Sequence, residues 1–266
     1  MVKFNYIDDA SGFDDNEQVS VKICGNCLKF TSSKHQSTKS KIRLIGNGQY
    51  IRDLDGSIND LKCRTDRSPN MVSCGNLEQI ILGHCNPKRA LFTTLTYDSD
   101  REYDKKLTLE HKQYIQYLRS NLNMNISYIS VVEMQKRGTP HFHDILIFPR
   151  DIATDYRFLI SFTEQSWNYG SAQAQVIYDV IGLVEYMTKD YRDKDAMKLF
   201  PKGKKKYFTS RDIRGVERVK MSGSEANQIL EIMEPIRQKK IYVTDDDTGF
   251  CDEIHQMLGT INEEGL

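Results

Sequence analysis

Residues 126–148 constrain the fold more than any other stretch. Two apolar, β-branched runs, ISYISVVEMQ and HFHDILIF, flank the polar segment KRGTP. Such runs separated by a glycine-containing turn read as a β-hairpin. Around the hairpin the hydrophobic period switches. Ala90–Tyr97 (ALFTTLTY) reads as a strand, and Leu107–Met124 places Tyr114, Ile115, Leu118 and Leu122 at helical spacings of three and four. Asp155–Trp167 and Ile181–Asp190 read as helices and Ala172–Tyr178 as a strand. This order, strand, helix, strand, strand, helix, strand, helix, predicts an α+β fold. It is an antiparallel β-sheet with flanking helices, a split β-α-β.

Residues 1–88 give weaker signals. They hold turn-like clusters (SSKHQSTKSK, GNGQ, DLDGS) and a short alternating piece, KIRLIG, which suits a strand. The sequence therefore predicts three segments: an N-terminal extension over 1–88, a catalytic domain over 89–220 and a C-terminal helical, acidic tail over 221–266. Lys+Arg and Asp+Glu are both 37 in the 266 residues, which excludes a uniformly basic coat. The signs are unevenly placed. Lys189–Lys220 carries twelve basic residues against five acidic ones, and Glu231–Leu266 carries three against nine. A basic block of that size is either solvated surface or a seat for a polyanion. The mean hydropathy is −0.57, and no apolar run approaches the ~20 residues of a membrane helix. The first residues, MVKFNYIDDASGFDD, lack the apolar core of a signal peptide, so a cytoplasmic protein without a membrane partner is expected.

His141 and His143 flank Phe142, and residues two apart on a strand share a face. Two adjacent imidazoles suit a divalent metal, or they are a pair of half-exposed histidines. A five-residue loop over Lys136–Pro140 pairs Gln135 with His141 and Glu133 with His143, on the same face as the imidazoles. A four-residue loop would turn Glu133 away. Tyr186 and Lys189 lie three apart on a helix and share a face. They are either a core tyrosine with a surface lysine or, beside a metal, a nucleophile with a supporting cation. Cys24-Gly-Asn-Cys27 is the one clean cysteine pair. A zinc site needs four ligands, so buried or incidental thiols are the stronger reading of Cys24 and Cys27.

Three ordered segments, FTTLTYD at Phe92–Asp98, PHFHDILIF at Pro140–Phe148 and EYMTK at Glu185–Lys189, resemble the motifs of the HUH endonucleases. The nearest likeness is to rolling-circle replication initiators of gokushovirus-type microviruses and related plasmids. Glu133-Met-Gln-Lys-Arg137-Gly138-Thr-Pro-His141-Phe-His143 is similar to their E-x-RG-x-x-H-x-H hairpin. Trp167–Gly170 and Tyr207–Arg211 also resemble the family. The likeness covers about half of the chain. It implies an RRM-like nuclease core that nicks and rejoins single-stranded DNA at an origin hairpin through a 5′-phosphotyrosine. In that reading Mg²⁺ or Mn²⁺ lies on His141, His143 and Glu133, Tyr186 is the nucleophile and Lys189 its support. Tyr191 is a possible second tyrosine, although it lies roughly 140° round the helix from Tyr186. Arg137, Lys202, Lys204, Lys205, Lys206 and Arg211 are candidate DNA contacts. The KGKKK stretch reads equally as a solvated loop. Host helicase and polymerase are the implied partners, since no GxxxxGK[ST] occurs.

Other readings share these residues. An amidohydrolase-type enzyme also uses HxH on a strand but needs histidines on later strands, and only His255 follows. A transposase or relaxase on the same scaffold, or a non-catalytic nucleic-acid-binding module, remains an alternative.

Overall fold

The computed structural model describes residues 2–7, 12–37, 42–46, 49–52, 57–60, 69–135, 138–201, 203–245 and 250–261. In chain order, strands β1 (Val2–Ile7), β2 (Gln18–Cys24) and β3 (Cys27–Ser37) come first, then β4 (Ile42–Gly46), β5 (Gln49–Arg52) and β6 (Ile58–Asp60). Helix α1 (Pro69–His84) precedes β7 (Ala90–Tyr97), α2 (Lys105–Leu122), β8 (Ser127–Met134), β9 (Pro140–Ile147) and α3 (Tyr156–Gln165). There follow β10 (Gly170–Val176), α4 (Val180–Arg192), α5 (Lys194–Leu199) and β11 (Tyr207–Thr209). The described chain ends with β12 (Glu217–Ser222), α6 (Gly223–Leu230), β13 (Glu234–Asp245) and β14 (Phe250–Thr260). No helix among the described residues is long and apolar enough to cross a membrane.

The chain folds as two compact units. One holds Met1–Val72 and Val216–Leu266, and the other holds Ser73–Gly215. The three-segment reading is therefore corrected at both boundaries. The first and last segments share one six-stranded antiparallel sheet, ordered β1-β13-β14-β3-β2-β12. What reads as an acidic tail is one helix followed by two long strands. The physical reason is cross-strand burial: Val19, Val21, Leu28 and Phe30 from the N-terminal part share a core with Ala226, Met233 and Met257 from the C-terminal part. Neither set alone can shield its apolar face.

The unit over 73–215 contains the antiparallel sheet that the sequence predicts, ordered β10-β7-β9-β8-β11. One face packs on α2 and α3 through Leu91, Leu95, Leu118, Phe142, Leu146, Leu159 and Trp167, all buried. Each such side chain contributes about 1.5–3 kcal/mol by leaving water. Helix α2 starts at an Asp104 cap that accepts from Leu107 N at 2.9 Å, and it ends at Asn123 in the left-handed region. Helix α1 is absent from the sequence reading. Its residues Leu77 to Leu82 are buried in unbroken succession, so it carries no amphipathic stripe to detect.

Candidate active site

The β8–β9 hairpin sets the site. Glu133 lies opposite His141, and Val131 opposite His143. The expected register is thus displaced by two residues. Gln135 N donates to Thr139 O at 3.0 Å and Gly138 N donates to Gln135 O at 2.8 Å, which closes the turn within Gln135–Thr139. Gly138 has φ 89°, a value glycine adopts without strain. Pro140 enters the ladder as the first residue of β9, where a missing N–H is tolerated. A displacement of two preserves the face, so Glu133 still stands with both histidines.

His143 Nε2 lies 2.7 Å from Glu133 Oε2. The Lys189 ammonium donates to the same carboxylate oxygen at 2.9 Å. The hydrogen bond from His143 holds the Glu133 carboxyl down at about 2, with Lys189 adding to the effect against the opposing cost of burial. Lys189 is held above the ordinary lysine value by Glu133, against its own partial burial. Strand β7 steadies the imidazoles from the side. Thr94 Oγ1 is hydrogen-bonded to His143 Nδ1 at 3.2 Å and Thr96 Oγ1 to His141 Nδ1 at 3.4 Å. A side partner on Nδ1 fixes the ring and leaves Nε2 as the ligating atom, the usual arrangement around metal-binding histidines. The two imidazole centroids are 6.4 Å apart.

Helix α4 brings Tyr186 over this face. The Tyr186 ring is edge-on to His143 at 5.2 Å and to Phe92 at 5.7 Å, and the Lys189 ammonium lies 4.1 Å from its centroid. Tyr186 is 40% exposed, so a substrate can reach it. Tyr191 is placed differently. It is 5% exposed, its hydroxyl lacks a hydrogen-bond partner among the described residues, and burial pushes its phenol well up.

The predicted DNA contacts separate. Lys204, Lys205 and Arg211 are exposed. Lys206 is half-buried, with its ammonium 5.1 Å from the Tyr191 ring and 4.7 Å from the Phe200 ring; burial lowers its proton affinity. Arg137 and Lys202 lie outside the described residues. Cys24 and Cys27 face each other across a two-residue turn in the other unit, both buried, and burial raises the Cys24 thiol to about 11.

The two imidazoles and the carboxylate fit a divalent ion by donor type. His143 Nε2 and Glu133 Oε2 are already at the separation of neighbouring ligands, with both Nδ1 atoms engaged elsewhere. Among the described residues, no three His, Cys, Asp or Glu side chains converge on one point.

Several site residues escape the sequence reading. Thr94 and Thr96 are part of a quoted motif, but only the β7–β9 register, Thr94 to His143 and Thr96 to His141, gives them a task. Asp190 is half-buried next to Lys189, and burial followed by the nearby Glu133 charge raises its carboxyl. Behind the sheet, His111 Nε2 lies 2.9 Å from Asp144 Oδ2, and the His111 ring stacks on Phe142 at 4.4 Å. The alternation in HFHD is the available signal. His141 and His143 face the site, whereas Phe142 and Asp144 face α2.

No curated protein matches the chain. Residues 90–191 match the family model of the replication-associated protein ORF2. The matched stretch runs from β7 into the last turn of α4 and includes Glu133, His141, His143, Tyr186 and Lys189, so the similarity supports a replication-initiator role, with the DNA binding that such a role requires, resting on the part of the chain that carries this site.

Proposed function

We propose that the protein is a metal-dependent tyrosine endonuclease of the HUH type. It nicks and rejoins single-stranded DNA at an origin to start rolling-circle replication. The observation that carries this reading is the seating of Tyr186, exposed, edge-on to His143 and beneath the Lys189 ammonium.

His141, His143 and Glu133 would hold the ion, and a mixed imidazole and carboxylate set favours Mn²⁺ somewhat over Mg²⁺. Bound there, the ion would draw charge from a non-bridging oxygen of the scissile phosphate. Thr94 and Thr96 keep the rings from turning. The Tyr186 oxygen forms a bond to phosphorus as the bond from phosphorus to the 3′ oxygen breaks. The products are a 5′-phosphotyrosine and a free 3′-hydroxyl able to prime synthesis. The phenolic proton leaves, and the departing 3′ oxygen gains one. Lys189 favours the negative charge that grows on the Tyr186 oxygen during attack. Attack by a 3′-hydroxyl on the phosphotyrosine reverses the step and rejoins a strand without ATP. Lys204, Lys205 and Arg211, exposed in the same unit, supply phosphate contacts beside the chemistry.

Incubation with single-stranded oligonucleotides and Mn²⁺ should give a denaturant-resistant DNA adduct whose peptide maps to Tyr186. EDTA or Tyr186→Phe should abolish it while binding persists. An adduct on Tyr191, or none with Mn²⁺, would overturn the assignment.

A further inference from the structure

The six-stranded sheet has two unlike faces. One packs Val19, Val21, Phe30 and Met257 against α6. The register fixes what stands on the other. Arg218 is opposite Lys22, Lys22 opposite Lys29, Lys29 opposite Leu258, and Leu258 opposite Arg237. These five positions form one line across β12, β2, β3, β14 and β13. Two residues along, the next line has Lys220 and Lys239 at its ends, with Ser20, Thr31 and Gln256 between them. Neither line contains an aspartate or glutamate. Arg218, Lys220 and Arg237 are exposed, and Lys22, Lys29 and Lys239 are partly so. Strand spacing of about 4.8 Å makes each line about 19 Å long, with about 7 Å between lines.

Like charges set directly opposite on neighbouring strands are destabilising. Arg218, Lys22 and Lys29 are three in succession, in a chain whose basic and acidic residues balance at 37 each. A bound polyanion offsets that repulsion. We propose that this face binds the phosphate backbone of duplex nucleic acid. The two lines contain no aromatic side chain on which the bases of a single strand could stack. They offer cations, two hydroxyls and an amide, the groups that contact phosphates without reading sequence. The proposal rests on the unit formed by the chain's two ends and is independent of the nicking chemistry.

The test combines Lys22→Gln, Lys29→Gln and Arg218→Gln in the full chain. Binding to a labelled 20-base-pair duplex is read by fluorescence anisotropy in EDTA over a salt series, so neither metal nor cleavage enters. Affinity should fall at least about tenfold, and the slope of log K against log salt should flatten by about 2–3. Lys22→Arg with Lys29→Arg should keep the wild-type affinity, separating loss of charge from loss of fold. Unchanged affinity and slope in the triple Gln variant would overturn the proposal. So would a larger loss for a single-stranded 20-mer than for the duplex. Loss of binding to phosphatidylserine vesicles with duplex binding intact would assign the face to a membrane surface and likewise refute it.

Discussion

Glu133 joins three functions in one side chain. It faces His143, anchors Lys189 and completes the donor set. Its carboxyl titrates at about 2 in the folded protein, below the ordinary 4.5, because the hydrogen bond from His143 and then Lys189 favour the charged form. A depressed acid contributes stability above its ordinary value, and that contribution is lost as pH falls. Glu133→Gln should therefore melt at a lower temperature than wild type near pH 7. The two curves should converge between about pH 4.5 and 2. A gap that stays constant through that window would show that the ion pair is not the cause. The residue types of the site were legible as HxH, a glutamate of the right parity and YxxK. Their supports were not. Thr94, Thr96 and His111 act through cross-strand and cross-layer neighbours, and linear spacing does not encode such contacts.

At the scale of elements, the strands and helices over 90–192 follow their periodicities closely, because each buries one face and leaves the other wet. Helix α1 shows why the signal fails elsewhere: enclosed on all sides through Leu77–Leu82, it has no polar stripe. Hairpin register was legible only in parity. The sequence shows which face Glu133 takes, but the turn hydrogen bonds decide how far along it pairs. The approach of β10 to β7 depends on Gly170, whose φ is 153°. A Cβ there would meet Thr96 O at 2.2 Å and Asp98 N at 2.6 Å. The same carbonyl accepts from Trp167 Nε1 at 3.0 Å, and the Thr96 hydroxyl touches His141. Gly170→Ala should destabilise by about 2–3 kcal/mol, seen as a lowered melting temperature. An unshifted transition would mean that β7 can yield at this point.

For the whole molecule, charge blocks along the sequence are a poor guide to charged surfaces. The basic run over 189–220 is divided between the two units, and the acidic run over 231–266 supplies Arg237 and Lys239 to a cationic face. The run of acids suggests a dispensable end, but β14 lies between β13 and β3. A chain ending at Val243 should lose the cooperative melting of the terminal sheet, monitored by differential scanning calorimetry. Retention of both transitions would show that β14 is peripheral. The same insertion topology sets an order of events on the ribosome. Strands β2 and β3 emerge early, yet β12 and β14, which flank them, are made only after 73–215 is complete. Until then β3 exposes an unpaired edge on the side that β14 will take, open to pairing with another nascent chain. Residues 73–215 draw their contacts from one continuous stretch and can close during that interval. The centre around Tyr186 is thus able to assemble before the sheet at the two chain ends, and the hazard of misassembly during synthesis falls on that sheet.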